Sequence, residues 1–299
     1  MSSRPWSSWL SHFTTSARRP LPDLSAMPML PDGAGKALAA SLAIFQLGES
    51  GEGRIAHQID HTELSGIDDD YRAALKLFVA EEGRHARILG RMVRAMGGEL
   101  LEKSWTEAVF RHGRRMMGVR LKLLVLLAAE VIAIVFYGAL TPSLPHGPLR
   151  AALEEITADE DHHLQFHAQF FATQTTTALS RTVFRILWWA GASAACLAVA
   201  WDHRATMRLL GAPWSLLVSG AIREIRRVEV AVLQPAEPQS AEAGDPLPGS
   251  VAVVVSGEGP ERGVAGERLQ RLVGGSGPCD GGGGGVAGKE DHVSRLTAS

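Results

Sequence analysis

The sequence has only two cysteines, Cys196 in an apolar run and Cys279 in a glycine-rich stretch, so neither a disulfide framework nor a cysteine-built zinc site is open to it. A reducing, cytoplasmic compartment is the expectation. No glycine-rich phosphate loop, no Cys-x-x-Cys pair and no Ser-His-Asp set is present, so any electron donor would be a separate protein. Charge of one sign is also missing. Residues 1–233 carry about +2 and the remainder about −4, and neither balance argues for a nucleic-acid partner. No alternating strand pattern runs for more than a few residues. The first residues, "MSSRPWSSWLSHFTTSARRPLPDL", have the arginine-rich, acid-poor composition of a transit peptide and lack the apolar core of a secretory signal.

What is present is helical. The region 36–178 reads as four helical segments: helix A at 36–61, helix B from the acidic start at Asp68 to Gly97, helix C at 114–140 and helix D at 149–176. A 15-residue connection, "ELLEKSWTEAVFRHG", joins B to C, and "TPSLPHGP" separates C from D. Two further helical stretches, 180–210 and 214–233, follow. The expected organisation is an N-terminal extension at 1–35, partly disordered; a bundle at 36–178; apolar helices at 179–233 packing on the bundle or on a membrane; and a disordered tail at 234–299. The tail holds 15 of the chain's 32 glycines and 6 of its 15 prolines, too few apolar groups to offset the entropy of ordering it. The run from Ile186 to Trp201 is 16 residues, shorter than the ~20 of a typical span, which favours a buried or membrane-surface helix over a crossing.

Chemistry enters in helix B. Phe78, Glu82, His85 and Leu89 share one helical face, and an apolar setting makes the Glu–His pair costly unless a divalent metal compensates both. One such pair is weak evidence, but helix D repeats it with Glu160 and His163. Helices A and C each add acids in apolar surroundings. Glu130 is the only Asp, Glu, Lys or Arg between Lys122 and Arg150. In helix A both Glu49 and Glu52 lie on the stripe of Phe45 and Ala56, and either can reach the site, since Glu49 precedes Glu82 by 33 residues and Glu52 by 30. Two Glu from two helices and a Glu-x-x-His pair from each of two others is the ligand set of a dinuclear iron or manganese bundle.

The segments "FQLGES", "EEGRHARILGRM", "AAEVIAIVFYGAL" and "DEDHHLQFH" resemble the ferritin-like superfamily of di-iron carboxylate proteins over residues 36–178. The resemblance implies an all-α fold: a ferritin-like four-helix bundle, here with additional C-terminal helices. It implies Glu82, His85, Glu130, Glu160 and His163 as ligands of two iron ions, with manganese as the alternative, and Glu49 or Glu52 as the sixth, Glu49 being preferred. The expected activity is that of an oxidoreductase using O2 on an organic substrate. The alternative is an iron-handling protein, oxidising, storing or transferring iron. The extra apolar helices suit a small homo-oligomer, with a membrane-surface contact through 182–201, better than a storage cage.

Other residues admit plainer readings. Tyr137 is a candidate redox phenol or a core tyrosine; His167 a further ligand, a supporting donor or a packed ring; His162 an extra imidazole. Glu81 and Arg84 read as a surface pair, and Arg111, Arg114, Arg115, Arg120 and Lys122 as a solvated basic helix start. The tail composition generates a prediction: a chain ending at Leu233 keeps its helical circular dichroism and its metal content, and loss of either on truncation counts against a dispensable tail.

Overall fold

The computed structural model describes residues 6–31, 33–50, 53–102 and 118–234, and among them every regular element is helical. These elements are α1 (Ser7–Ser16), α2 (Ala34–Glu49), α3 (Gly53–Asp60), α4 (Asp69–Ala95), α5 (Val119–Leu140), α6 (Pro148–Gln174), α7 (Ala178–Asp202), α8 (Arg204–Leu209) and α9 (Trp214–Leu233), with a short 3-10 turn at Thr141–Ser143. The tail, Cys279, Glu52, Arg111, Arg114, Arg115 and most of the connection between helices B and C lie outside the described residues.

Local chemistry sets the helix ends. The Asp68 side chain caps α4 by accepting from Tyr71 N at 3.0 Å, and Asp69 and Asp70 follow in the first turn, where negative charge meets the positive end of the helix dipole. At the other end Gly97 takes φ +72°, and Gly98 N donates back to Val93 O. A Cβ on Gly98 would sit 2.8 Å from the Ala39 side chain, so glycine there lets α4 end hard against α2. Pro148 opens α6, where its missing N–H costs nothing, and a Thr177–Ser180 capping box opens α7.

The sequence reading of one continuous helix A is corrected: α2 ends at Glu49 and α3 begins at Gly53. The glycines at 48, 51 and 53 in "LGESGEG" weaken the helix there. The single stretch expected at 180–210 is likewise two helices that meet at His203, whose buried ring lies 2.8 Å from Ser41 Oγ on α2.

Packing follows the apolar faces. α2 lies on α4, α5 lies on α6, and α4 meets α6 where the two pairs join. α5 is apolar on every side and buried on most of them, with Leu123, Leu127, Val131, Phe136 and Leu140 all in the core. Both α5 with the turn after it (Val119–Ser143) and α7 are long and apolar enough to cross a membrane, but 83% of the first is enclosed by protein, as befits a core helix. α9 packs on α5, α6 and α7, so the C-terminal helices cover the α5–α6 side.

The N-terminal segment is part of this core. α1 lies along α4, with Trp6 and Phe13 buried and Trp6 Nε1 donating to Gly66 O at 2.8 Å. Phe13 touches Phe78, Phe166 and the His163 ring. Phe13→Ala is therefore expected to cost about 3–5 kcal/mol in urea unfolding. Leu179→Ala, at a side chain 73% exposed, should change stability by less than about 0.5 kcal/mol.

Candidate metal centre

The residues singled out in the sequence converge. Glu82 and His85 on α4 and Glu160 and His163 on α6 each offer a ligand atom, and the four atoms lie within 4.8 Å of one another, fully buried. His163 Nδ1 is 2.8 Å from Glu82 Oε1 and 3.0 Å from Glu160 Oε2, and His85 Nδ1 is 3.1 Å from Glu160 Oε1. From α5, the Glu130 carboxyl hydrogen-bonds Glu160 and lies 3.8 Å from His163 Nδ1. From α2, Glu49 is half-buried as a residue but turns its carboxyl inward to a hydrogen bond with Glu82. Four helices thus deliver four glutamates and two imidazoles to one buried point.

The geometry tests whether a metal suits these groups. Glu82 Oε1, His85 Nδ1 and Glu160 Oε1 are buried without any hydrogen bond of acceptable geometry, despite the short distances between them. Donor atoms that crowd together with several of them unbonded leave part of the cluster's desolvation unrepaid, whereas a cation placed among them would satisfy all. The donor set, carboxylate oxygens with imidazole nitrogens, suits a divalent cation. The cluster can hold a metal ion; its chemistry alone does not name which.

A further carboxylate stands behind each imidazole. His85 Nε2 donates to Asp159 Oδ2 at 3.1 Å, and His163 Nε2 donates to Glu81 Oε2 at 3.0 Å. With Nε2–H directed outward, a neutral ring keeps its Nδ1 lone pair for the cluster. The contacts cross over: the acid preceding Glu82 on α4 serves the α6 histidine, and the acid preceding Glu160 on α6 serves the α4 histidine. Arg19 then bridges the two acids, 2.5 Å from Glu81 and 2.7 Å from Asp159, while Ser16 Oγ donates to Glu81. Arg84 binds Glu155 and the Pro20 carbonyl.

These contacts correct the reading of Glu81 and Arg84 as surface residues, since each is only 5% exposed. The signal was in the sequence: the repeat is five residues long, acid-Glu-x-x-His, in "EEGRH" and again in "DEDHH". Arg19 and Ser16 carried no such signal, because their role depends on α1 folding back over α4.

The other candidates separate. His167 is fully buried, its ring nitrogens lack partners, and Nε2 lies 3.9 Å from Glu130 Oε1; burial, then the neighbouring His163, push it down to about 3, so it is neutral. Tyr137 is buried with a free hydroxyl, and burial together with the Glu49 charge holds the phenol well above its ordinary value. His162 is not among the clustered ligand atoms; its ring lies 4.4 Å from that of His12, and its Nδ1 meets the Ala158 carbonyl. Exposed Arg120 bonds Gln174, and Lys122 bonds Gln58. The chain matches no protein-family model, no curated protein and no solved structure, so the site itself carries the functional argument.

Without a cation the cluster shares charge unevenly. Burial and the Glu160 and Glu82 charges hold Glu130 well above the usual carboxylate range, and burial with Glu82 does the same to Glu49. Burial alone would lower His85, but Glu160, Asp159 and Glu82 outweigh it and raise the ring to about 9. A raised folded-state value means that the proton stabilises the fold. That stability is complete below the unfolded value near 6.5 and disappears as pH rises through about 9. Metal-free protein should therefore lose a few kcal/mol of unfolding free energy, in order of magnitude, as pH rises from about 6.5 to 9.5. His85→Gln should flatten that slope in urea melts, and a slope of opposite sign would contradict the charge arrangement.

Proposed function

We propose that α2, α4, α5 and α6 form a ferritin-like four-helix bundle holding two iron ions, with manganese as the alternative. The ligands in this reading are Glu49, Glu82, His85, Glu130, Glu160 and His163, and the activity is O2-dependent oxidation of an organic substrate. The observation that carries the reading is the charge arrangement. The four inner glutamates match two divalent cations, while the outer Glu81 and Asp159 are answered by Arg19 and Arg84. A single divalent ion would balance the cluster only with Glu49 and Glu130 still protonated, whereas a second ion would be matched by both as carboxylates.

Bound iron would supply one-electron redox chemistry toward O2, with reducing equivalents from a separate donor protein. The chain's own part is positioning and exclusion. Glu81 and Asp159 fix the tautomer and direction of His163 and His85, so that both rings present Nδ1. Phe78 packs edge-on against His163 and His167, and Phe13 and Phe166 close the layer above, keeping water from the carboxylates. His167 stays neutral beside Glu130 and so adds no positive charge against the cations. The apolar helices α7 and α9 over the α5–α6 side favour an enclosed catalytic site over a cage subunit with free outer faces.

The test is metal analysis after anaerobic loading with Fe(II), where about two ions per chain are expected. Glu130→Ala should lower that number while leaving helical content in place, because removing the carboxylate also removes its desolvation cost. A single zinc that survives Glu130→Ala would refute the dinuclear reading. On exposure to air the reduced protein should consume O2 in proportion to its sites, and growth of a mineral core from excess Fe(II) would favour iron storage instead.

A further inference from the structure

The described surface is one-sided. Of fifteen large apolar side chains exposed among the described residues, twelve lie between Leu179 and Val230, on α7, α8 and α9. α7 buries one stripe, including Phe184, Trp188 and Val199, and presents the other to the outside, with Ile186 62%, Leu197 72% and Trp201 66% exposed. α9 lies beside it: Trp188 Nε1 donates to Ile225 O and Trp189 Nε1 to Glu229, both at 2.9 Å. The outward side of α9 adds Trp214, Val218 and Ile222, and Leu209 of α8 lies between the two helices in sequence. Exposed apolar side chains concentrated on three neighbouring helices mark an interaction surface.

Charge indicates which partner. No Asp or Glu among residues 178–234 is exposed, whereas Arg181, Arg185, Arg208, Arg223 and Arg226 are. Arg185 and Arg223 are met by Glu229 and Glu224, and the others add positive charge among the exposed apolar side chains, Arg226 falling between Ile222 and Val230 on α9. A two-fold contact with a second copy would bring two arginine-rich surfaces together, and the acids within 178–234, Asp202, Glu224 and Glu229, are buried or half-buried. An anionic lipid surface answers all of these arginines. Exposed tryptophans beside arginines are the side chains that settle at a bilayer's headgroup level, and here Arg204 lies 4.3 Å over the Trp201 ring.

A cavity points the same way. About 280 Å3 of space between α5, α6 and α7 is walled by Leu124, Phe171 and Phe184, with Arg120 at its edge. Val183 and Leu187 line this cavity and are also part of the exposed strip, so it opens on the same side. An apolar slot with a guanidinium at its edge has the chemistry to admit an acyl chain below an anionic head.

We propose that the outward face of α7, α8 and α9 seats the protein on an anionic bilayer, lying in the interface without crossing it. The inference does not depend on the metal reading. The experiment is sedimentation of the full chain with vesicles of phosphatidylcholine alone and of phosphatidylcholine with phosphatidylglycerol. Binding is expected to the anionic vesicles, with a fall of at least about tenfold in high salt. Leu197→Glu together with Ile186→Glu, on exposed positions that leave the core intact, should abolish it, and Arg181→Glu with Arg208→Glu should remove the preference for anionic lipid. Circular dichroism confirms the fold of each variant. Three results would overturn the proposal: no binding to either vesicle, a dimer in solution that Leu197→Glu dissociates while vesicles have no effect, or bound protein that alkaline carbonate fails to release, which would mean a span.

Discussion

Two imidazoles held between inner and outer carboxylates are the interaction on which the rest of this structure depends. His85 and His163 each face the buried glutamates through Nδ1 and a second acid through Nε2. Because the outer acids come from the opposite helix, α4 and α6 must keep one axial register. A slip of a single residue would rotate each set of five by about 100° and separate every pair at once. The cost of burying so many charges is large, and only complete pairing makes it bearable.

That demand explains features that would otherwise look unrelated. The N-terminal α1 lies along α4 because Trp6 and Phe13 bury there, and its last turn and the residues after it bring Ser16 and Arg19 to the outer acids. α5 can be apolar on all sides because it is enclosed by α6, α7 and α9, and Glu130 is then stranded in it unless the cluster receives it. The aromatic layer of Phe13, Phe78 and Phe166 raises the strength of each electrostatic contact beneath it by excluding water. The groups that share protons in the metal-free core are therefore the same ones that could hold a metal ion.

The C-terminal helices solve a different problem. Their inner stripes complete the core around α5 and α6, while their outer stripes remain apolar where a soluble surface would carry mixed charge. Placing the arginines and tryptophans around that strip gives the protein a polarity, with the buried acids on one side of the α5–α6 layer and a cationic, lipophilic face on the other.

The repeated Glu-x-x-His spacing and the lone Glu130 were legible in the sequence because helical period alone puts such residues on one face, and apolar neighbours alone make them expensive. The helix order was legible for the same reason, as was the all-helical class. The end of α2 at Glu49 and the fresh start of α3 at Gly53 were not read, since glycines only weaken a helix and the packing of α3 decides where it begins. Glu81 and Arg84 looked like solvated charges because a single helix shows its own faces and not what folds over them. Arg19, 62 residues from Glu81 and 140 from Asp159, had no local pattern at all. The sequence by itself determined which side chains share a helical face and how much burying them costs; the tertiary structure alone decided which opposite charge arrives to meet each one, because pairing across the core depends on positions that no local period encodes.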